Sequence, residues 1–364
     1  MKRTRTILAA GLVVAATAGA GTGSPSVGGT PSPSAPMVDG SGVPTSGGSA
    51  SAPAPLCPHL KPSWVETASH PNDGVPDPEG RIVFGPVERG DEILGQLISP
   101  LVTMDADGSD LVQIFDCEVE RPRFSPDGSR IAFSLAMDDD SWQVATIAAD
   151  GSDLRILTST TGYAQTPDWS PDGSWLIYAT SPVKCSRDPF CDSLNETLWR
   201  MDADGSDQRL IGSAPSSAWD WEPRLSPDGR EVVFVRNTPE DNYRWTIMIR
   251  NLETGEERVA KVDTREFEHP DWSPDGRFIV YNVTPPGPIE RVPADDPTAT
   301  AERLGGDDIH GYKPAYSPDG SSIVYGCDGG ICRMNADGSD VVELLQVPGV
   351  ELNHFDWGPP TAGR

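Results

Sequence analysis

Two sets of six residues, each recurring at one place in a repeated pattern, carry most of the chemistry this chain could perform. At the start of a strand-like stretch, immediately ahead of a proline in five of six cases, stand Arg121, Thr166, Glu222, His269, Lys313 and His354. Two residues further on stand Arg123, Asp168, Arg224, Asp271, Ala315 and Asp356. In the first set His269 and His354 are imidazoles, and with Glu222 or His310 they could ligate a divalent metal. Only two of the six positions are histidine and Lys313 stands between them, so the metal set is the weaker alternative and no cofactor is expected. In the second set the charges nearly alternate in sign. Arg123 could pair with Asp168 or Asp356, and Arg224 with Asp168 or Asp271. The expectation here is structural, a ring of ion pairs between neighbouring repeat units.

What must position these residues is a repeat. The turn "SPDG" occurs at Ser125, Ser170, Ser226, Ser273 and Ser317, at intervals of 45, 56, 47 and 44 residues. Each copy is followed by a β-type run: "RIAF", "WLIY", "EVVF", "FIVY" and "SIVY". A degenerate copy, "DPEGRIVF", starts at Asp77. Such intervals are those of four-stranded propeller blades. Strand A of each unit ends in the Pro-Asp-Gly turn, where Pro presets φ and Gly accepts positive φ. Strand B is the apolar run. Strand C leads into a second Asp-Gly turn, "DADGSD" at Asp105 and Asp202, "AADGSD" at Ala148 and "NADGSD" at Asn335, and strand D follows. These Asp-rich turns lack the spacing of an EF-hand calcium loop and read as turn chemistry. The first unit has no strand A, whereas "HFDWGP" from His354 is a strand A with nothing after it. Joined, they complete one blade from both chain ends and leave no open edge. The expected fold is therefore all-β: a six-bladed β-propeller of four-stranded antiparallel blades, its first blade closed by the C-terminal strand.

The pattern "P-x-W-S-P-D-G-x-x-I-x-[FY]" together with "D-A-D-G-S-D" resembles the TolB-type, WD-like β-propeller repeat, from about Asp77 to Pro359. That resemblance implies a binding platform in periplasmic or secreted proteins, or a cap on a catalytic domain. TolB itself carries an α/β domain ahead of its propeller; here about twenty residues separate Cys57 from the first repeat, so that domain is not expected. Some TolB-like propellers that cleave pectic sugars use a histidine-rich metal site, which supplies a precedent for the metal alternative. Others cap serine peptidases. This chain shows no G-x-S-x-G nucleophile elbow and no phosphate-binding glycine loop.

In an antiparallel blade the A–B and C–D turns share one face, uniform and acidic here. The irregular B–C and D–A loops share the other, which makes it the better binding candidate. Its largest insertion is expected at about Ser181 to Glu196. Its D–A loops contribute Tyr163, Trp219, Trp221, Phe267, His310 and Tyr312, some of which could pack under neighbouring loops. With Arg121, Glu222, His269, Lys313 and His354 around the channel mouth, they form the expected surface for a protein or glycan partner.

The 364 residues carry a net charge of -27, which excludes the basic footprint that nucleic acid requires. Lys2, Arg3 and Arg5 followed by the apolar run Ile7 to Ala20 read as an export signal, too short for a membrane span. The expected organisation is a signal peptide over 1–20, a Gly/Ser/Pro/Ala-rich tether over 21–56 and an extension over 57–76. The propeller follows over 77–359, with a tail over 360–364. Six cysteines in an exported chain favour disulfides, with Cys185–Cys191, Cys327–Cys332 and Cys57–Cys117 the pairings proximity suggests. The chain is expected to be an exported, monomeric, non-catalytic binding module of the periplasm, cell wall or exterior. The alternative is a metal-dependent polysaccharide lyase or hydrolase acting at the channel mouth.

Overall fold

The computed structural model describes residues 55, 57, 80–89, 97–181, 196–212, 218–238, 244–262, 265–283, 287–307, 309–347 and 351–360. The expected signal peptide, most of the tether and extension, and the Cys185–Cys191 pairing lie outside the described residues. The chain divides into two units, Met1–Ser51 and Ala52–Arg364. The first lies wholly outside the described residues, and the second contains every described strand.

Among the described residues every regular element is a β-strand, and the strands form four-stranded antiparallel blades in a propeller arrangement. Three sheets are simple four-strand meanders, running from Trp219–Leu225 to Glu257–Val262, from Phe267–Trp272 to Glu302–Leu304, and from Tyr312–Tyr316 to Val342–Gln346. Hydrogen bonding does not draw six separate sheets, however. The four strands from Val119–Phe124 to Arg155–Ile156 and the four from Tyr163–Trp169 to Arg209–Gly212 form one eight-stranded sheet, joined by a single parallel bridge between Trp142 and Tyr163. The remaining sheet holds Arg81–Arg89, Leu101–Asp105 and Val112–Phe115, with the short strand Leu97–Ile98. The C-terminal strand Glu351–Gly358 pairs antiparallel with Arg81–Arg89, placing Ile82 opposite Trp357 and Val83 opposite Asp356.

The second strands read as unbroken apolar runs because a neighbouring sheet covers each of their faces. Their fourth residues, Phe84, Phe133, Tyr178, Phe234, Tyr281 and Tyr325, are all buried. The core clusters lie between units rather than within them. One joins Ile82, Phe84 and Met104 to Val324, Ile331 and Leu344, and to Leu352, Phe355 and Trp357 of the C-terminal strand. At about 1.5–3 kcal/mol for each large apolar side chain buried, stacking of neighbours supplies most of the stability.

The repeated turn is a compact hydrogen-bonded unit. In the copy at Ser125, the hydroxyl donates to Asp127 Oδ1 (2.6 Å) and accepts from Arg130 N–H (2.9 Å), while Asp127 also accepts from Ser129 N–H (3.0 Å). The equivalent bonds recur at Ser170, Ser226, Ser273 and Ser317. Gly128 sits at φ 68°, where a side chain would be strained. Serine donors hold the Asp172 carboxyl down at about 2, with Ser170 the largest cause. The Asp-Gly turn at Ala148 works likewise, with Ser152 donating to Asp150 (2.6 Å). Cys57–Cys117 and Cys327–Cys332 are disulfides.

Candidate functional site

Each first strand carries an irregularity at the same place. Its ladder with the second strand slips between Glu120 and Arg123, Trp221 and Arg224, Glu268 and Asp271, and Tyr312 and Ala315, with matching shifts in the other two copies. Inside the six gaps sit Arg121, Thr166, Glu222, His269, Lys313 and His354, all in the left-handed region at φ between 51° and 58°. In five copies the next residue is proline, which has no N–H to lose from the ladder, so a bulge there costs little hydrogen bonding. For a non-glycine residue the left-handed conformation is costly, and its recurrence at six equivalent places marks a strained position of the repeat.

Neighbouring units pin several of these backbones. Thr166 N–H donates to Ser134 Oγ (3.0 Å), His269 N–H to Glu222 Oε2 (2.7 Å) and Lys313 N–H to Asn282 Oδ1 (3.0 Å). The side chains converge on a small central cavity of about 10 Å³, lined by Arg121, Arg123, Arg224, His269, Lys313 and His354 with adjoining Pro and Phe residues. That is room for about one water molecule. His269 Nε2 lies 3.1 Å and Arg121 3.5 Å from Glu222 Oε1, and the His269 and His354 rings are 5.9 Å apart.

Electrostatically the cavity is cationic at its lining and acidic just behind. Burial, then Lys313 and Arg121, push both histidines well below the ordinary imidazole range, so they are neutral. Burial, then Arg121, brings Lys313 down to about 8. Burial raises Glu196 and Glu268 to about 7 and Asp271 to about 6. Several buried polar atoms here lack a hydrogen-bond partner among the described residues: Nε of Arg121, Arg123 and Arg224, Thr166 Oγ1 and His354 Nδ1. Buried polar groups are nearly always satisfied, so this concentration of unpartnered polar atoms sets the cavity lining apart.

The second set forms links between units. Arg123 pairs with Asp356 at 2.8 Å, and Asp356 also accepts from Phe124 N–H (2.7 Å). Asp168 accepts from Leu225 N–H (2.7 Å) and Asp271 from Tyr316 N–H (3.0 Å). Arg224 donates to the carbonyl of Pro223 (2.8 Å) and, among the described residues, touches no carboxylate. The aspartates therefore bind the neighbour's backbone more often than its arginine, because a backbone N–H is present in every unit. Trp169 and Trp272 add indole bonds to the carbonyls of Arg123 and Arg224 (3.2 and 3.1 Å).

Other expected contacts fall elsewhere. Tyr163 and Phe267 are buried, so neither offers a surface; Phe267 stacks edge-on against Tyr281 at 5.2 Å and packs between two units. Trp221 packs on Trp245 at 5.4 Å with the Arg121 guanidinium 5.8 Å above it. Trp219 and Tyr312 are partly exposed, and Tyr312 lies 6.3 Å from Phe355. His310 is exposed on a loop and does not line the cavity. His269, His354, Glu222 and His310 do not converge as a metal set. Among the described residues, the one trio of ligand-type atoms within 4.8 Å of one another is Cys57, Asp116 and Cys117, whose sulfurs are already joined. Buried Glu196 and half-buried Glu268 are acids of the site that pattern reading missed. Adjacency to His269 was the signal for Glu268; Glu196 carries none, since only tertiary packing brings it near Arg121.

The "TolB beta propeller domain" family matches residues 100–287, just over half the chain. The chain belongs to the TolB β-propeller family. Among curated relatives of this TolB-type propeller, "Uncharacterized protein Atu1656" of Agrobacterium fabrum is 29% identical over 168 residues, 43% of this chain and 52% of that protein. "Uncharacterized peptidase YuxL" of Bacillus subtilis is 26% identical over 198 residues, 54% of this chain and 27% of that protein. The chain thus spans about half of one relative and a quarter of the other. Among solved structures, TolB of Acinetobacter baumannii superposes with a TM-score of 0.60 at 18% identity, covering 77% of this chain and 67% of that one. Hydrazine synthase of Kuenenia stuttgartiensis gives 0.63 at 19%, covering 78% and 47%. Likeness at this identity concerns the fold.

Proposed function

We propose that the protein is an exported, non-catalytic binding module that receives an anionic group of a protein partner at the mouth of its central cavity. The observation that carries this reading is the ring of left-handed residues around the cavity. It brings Arg121 and Lys313, both partly exposed cations, into the same lining as Arg123 and Arg224. A carboxylate arriving there meets donors already desolvated and held in place, which lowers the cost of binding. The cavity is too small for a ligand of any size, so the partner docks over it.

We read the ring as six-bladed and closed. The eight-stranded sheet divides at its single bridge into two blades, and pairing of Arg81–Arg89 with Glu351–Gly358 completes another. The two disulfides and the basic, then apolar, N-terminal sequence support export. The peptidase name of one relative belongs to a protein of which this chain matches about a quarter, and the catalytic reading has no further support from it. A metal-dependent lyase or hydrolase would place its cation among four positively charged side chains, an arrangement that Coulomb repulsion opposes.

The test is capture from an envelope extract by the parent protein and by Arg121→Ala/Lys313→Ala. The parent should retain a partner whose binding weakens with salt, and the double variant should lose it while melting at a similar temperature. Unchanged capture by the variant sinks the reading. One bound metal per chain together with cleavage of a polysaccharide would put the enzyme in its place.

A further inference from the structure

Away from the central cavity, a groove of about 470 Å³ opens where the eight-stranded sheet joins its two halves. Its cause is a strand cut short. Arg155–Ile156 pairs for two residues only; then Leu157 N–H donates to Val144 O (2.8 Å) and Thr158 Oγ1 takes the ladder position by accepting from Val144 N–H (2.9 Å). The Gln143 side chain locks the departing segment. It accepts from Thr158 Oγ1 (2.8 Å) and Thr160 N–H (3.0 Å) and donates to Thr160 O (2.7 Å). One wall of the groove is therefore a fixed, hydroxyl-bearing loop held off the sheet.

The facing wall carries Tyr178 and Thr180 on one strand and Trp199 on the next, with Gln208 at one end. Tyr178 O–H donates to Gln208 Oε1 (3.4 Å), and the Gln208 amide spans to the carbonyls of Leu157 and Gly205 (3.0 Å each). Thr180 Oγ1 donates to Tyr163 O (2.8 Å), and Thr197 Oγ1 accepts from Trp199 Nε1 (3.1 Å). Hydroxyls and amide are thus oriented by the protein and keep lone pairs for a ligand.

The composition of the lining is what sets this groove apart. None of its nine residues is charged, in a chain that is 23% charged with a net charge of -27. The cavity of about 530 Å³ among the Pro-Asp-Gly turns shows the ordinary pattern, with Asp127, Asp172, Asp204, Arg130 and Arg155 in its lining. A ligand recognised by one partly exposed indole and a set of neutral hydroxyls and amides has apolar faces edged by hydroxyls and no charge. We infer that this groove binds a neutral saccharide, one or two sugar rings long. Its volume is in the ordinary range for small-molecule sites. A ring face packs on Trp199, and Thr160, Thr180 and Gln208 exchange hydrogen bonds with its hydroxyls. A uronic acid finds no cation in the lining to compensate its desolvation. The inference does not rest on the central cavity, and its readout does not involve a protein partner.

The experiment titrates the full chain with maltose, cellobiose, lactose and diacetylchitobiose, and with digalacturonate as the charged comparison. Binding is followed by saturation-transfer NMR and tryptophan emission. At least one neutral disaccharide should bind saturably, with digalacturonate at least tenfold weaker. Trp199→Ala and Gln208→Ala should each weaken it by about tenfold or more. If Trp199→Ala does not fold, Gln208→Ala and Thr180→Val decide, since Gln208 is exposed and Thr180 partly so. The proposal is overturned if no neutral disaccharide saturates below about 50 mM, well beyond millimolar binding. It is equally overturned if the folded variants bind as the parent does, or if digalacturonate binds as tightly.

Discussion

Glu196 shows how the setting of one side chain reaches the stability of the domain. It is buried, accepts from Gln165 Nε2 (3.0 Å) and lies within the field of Arg121 and Glu222. Burial is the largest cause of its rise to about 7, so the folded protein keeps a proton that the unfolded chain has released. The stabilising contribution of that proton is complete below the ordinary glutamate range and is lost as pH climbs through about 7. Urea melts of the parent should therefore lose about 2–3 kcal/mol between pH 5 and 7.5 relative to Glu196→Gln, which cannot ionise. Parallel curves for the two proteins would show that Glu196 is ionised throughout. Glu268, also raised to about 7 by burial and then by Glu222, adds to the same slope and is present in both proteins.

The bulged first strand is the element on which the site depends. In four of the six copies, Arg121, His269, Lys313 and His354, its left-handed residue lines the cavity, and the two positions after it return the chain to the ladder. Strain in that conformation runs to about 1–3 kcal/mol for a non-glycine residue. Thr166 is the clearest case: β-branched, at φ 57°, fully buried, with its hydroxyl unpartnered among the described residues. Thr166→Gly removes the strain and an orphan hydroxyl worth about 1–3 kcal/mol. Against this stand about 1.6 kcal/mol for the two lost carbons, Cβ and Cγ2, and about 0.5–1 kcal/mol of backbone entropy. The variant is expected to be more stable by about 1 kcal/mol, read from its urea midpoint. A less stable variant would mean that the threonine side chain packs better than its strained backbone costs.

Across the whole domain, the C-terminal strand ties together residues far apart in sequence. Through it Arg81–Arg89 gains its pairing, Arg123 its partner Asp356, and the first core cluster Phe355 and Trp357. A chain ending at Asn353 loses the ion pair, several ladder bonds and two buried aromatic side chains. Removing one partner of a buried pair alone costs about 3–5 kcal/mol, a large part of a domain's total stability of about 5–15 kcal/mol. The truncated protein should melt tens of degrees lower or without a cooperative transition by calorimetry. Melting like the full chain would show that the C-terminal strand is dispensable for folding.

The fold was legible because its signals are local and repeated. Pro-Asp-Gly and Asp-Gly turns dictate backbone geometry within four residues, apolar runs dictate strands, and recurrence every 44 to 56 residues leaves few architectures. The two sets of aligned residues were legible for the same reason, since equal positions in equal units face the same axis. Contacts between units were legible only in part: Arg123 with Asp356 is one of the pairs the alternating charges allow, but the other aspartates and Arg224 do not follow it. That Asp168 and Asp271 bind a neighbour's backbone, and that Arg224 turns to the carbonyl of Pro223, depends on the rotation of one sheet against the next. Burial was equally hidden: Tyr163 and Phe267 look like surface aromatics in a loop, yet both are buried and Phe267 packs between two units. The groove beside Trp199 arises where one strand stops two residues in and a glutamine holds the loop away, a coincidence of four segments with no motif of its own. Turn and strand chemistry is written in neighbouring residues, whereas charge pairing, burial and cavities belong to distances between residues that the chain order leaves unspecified.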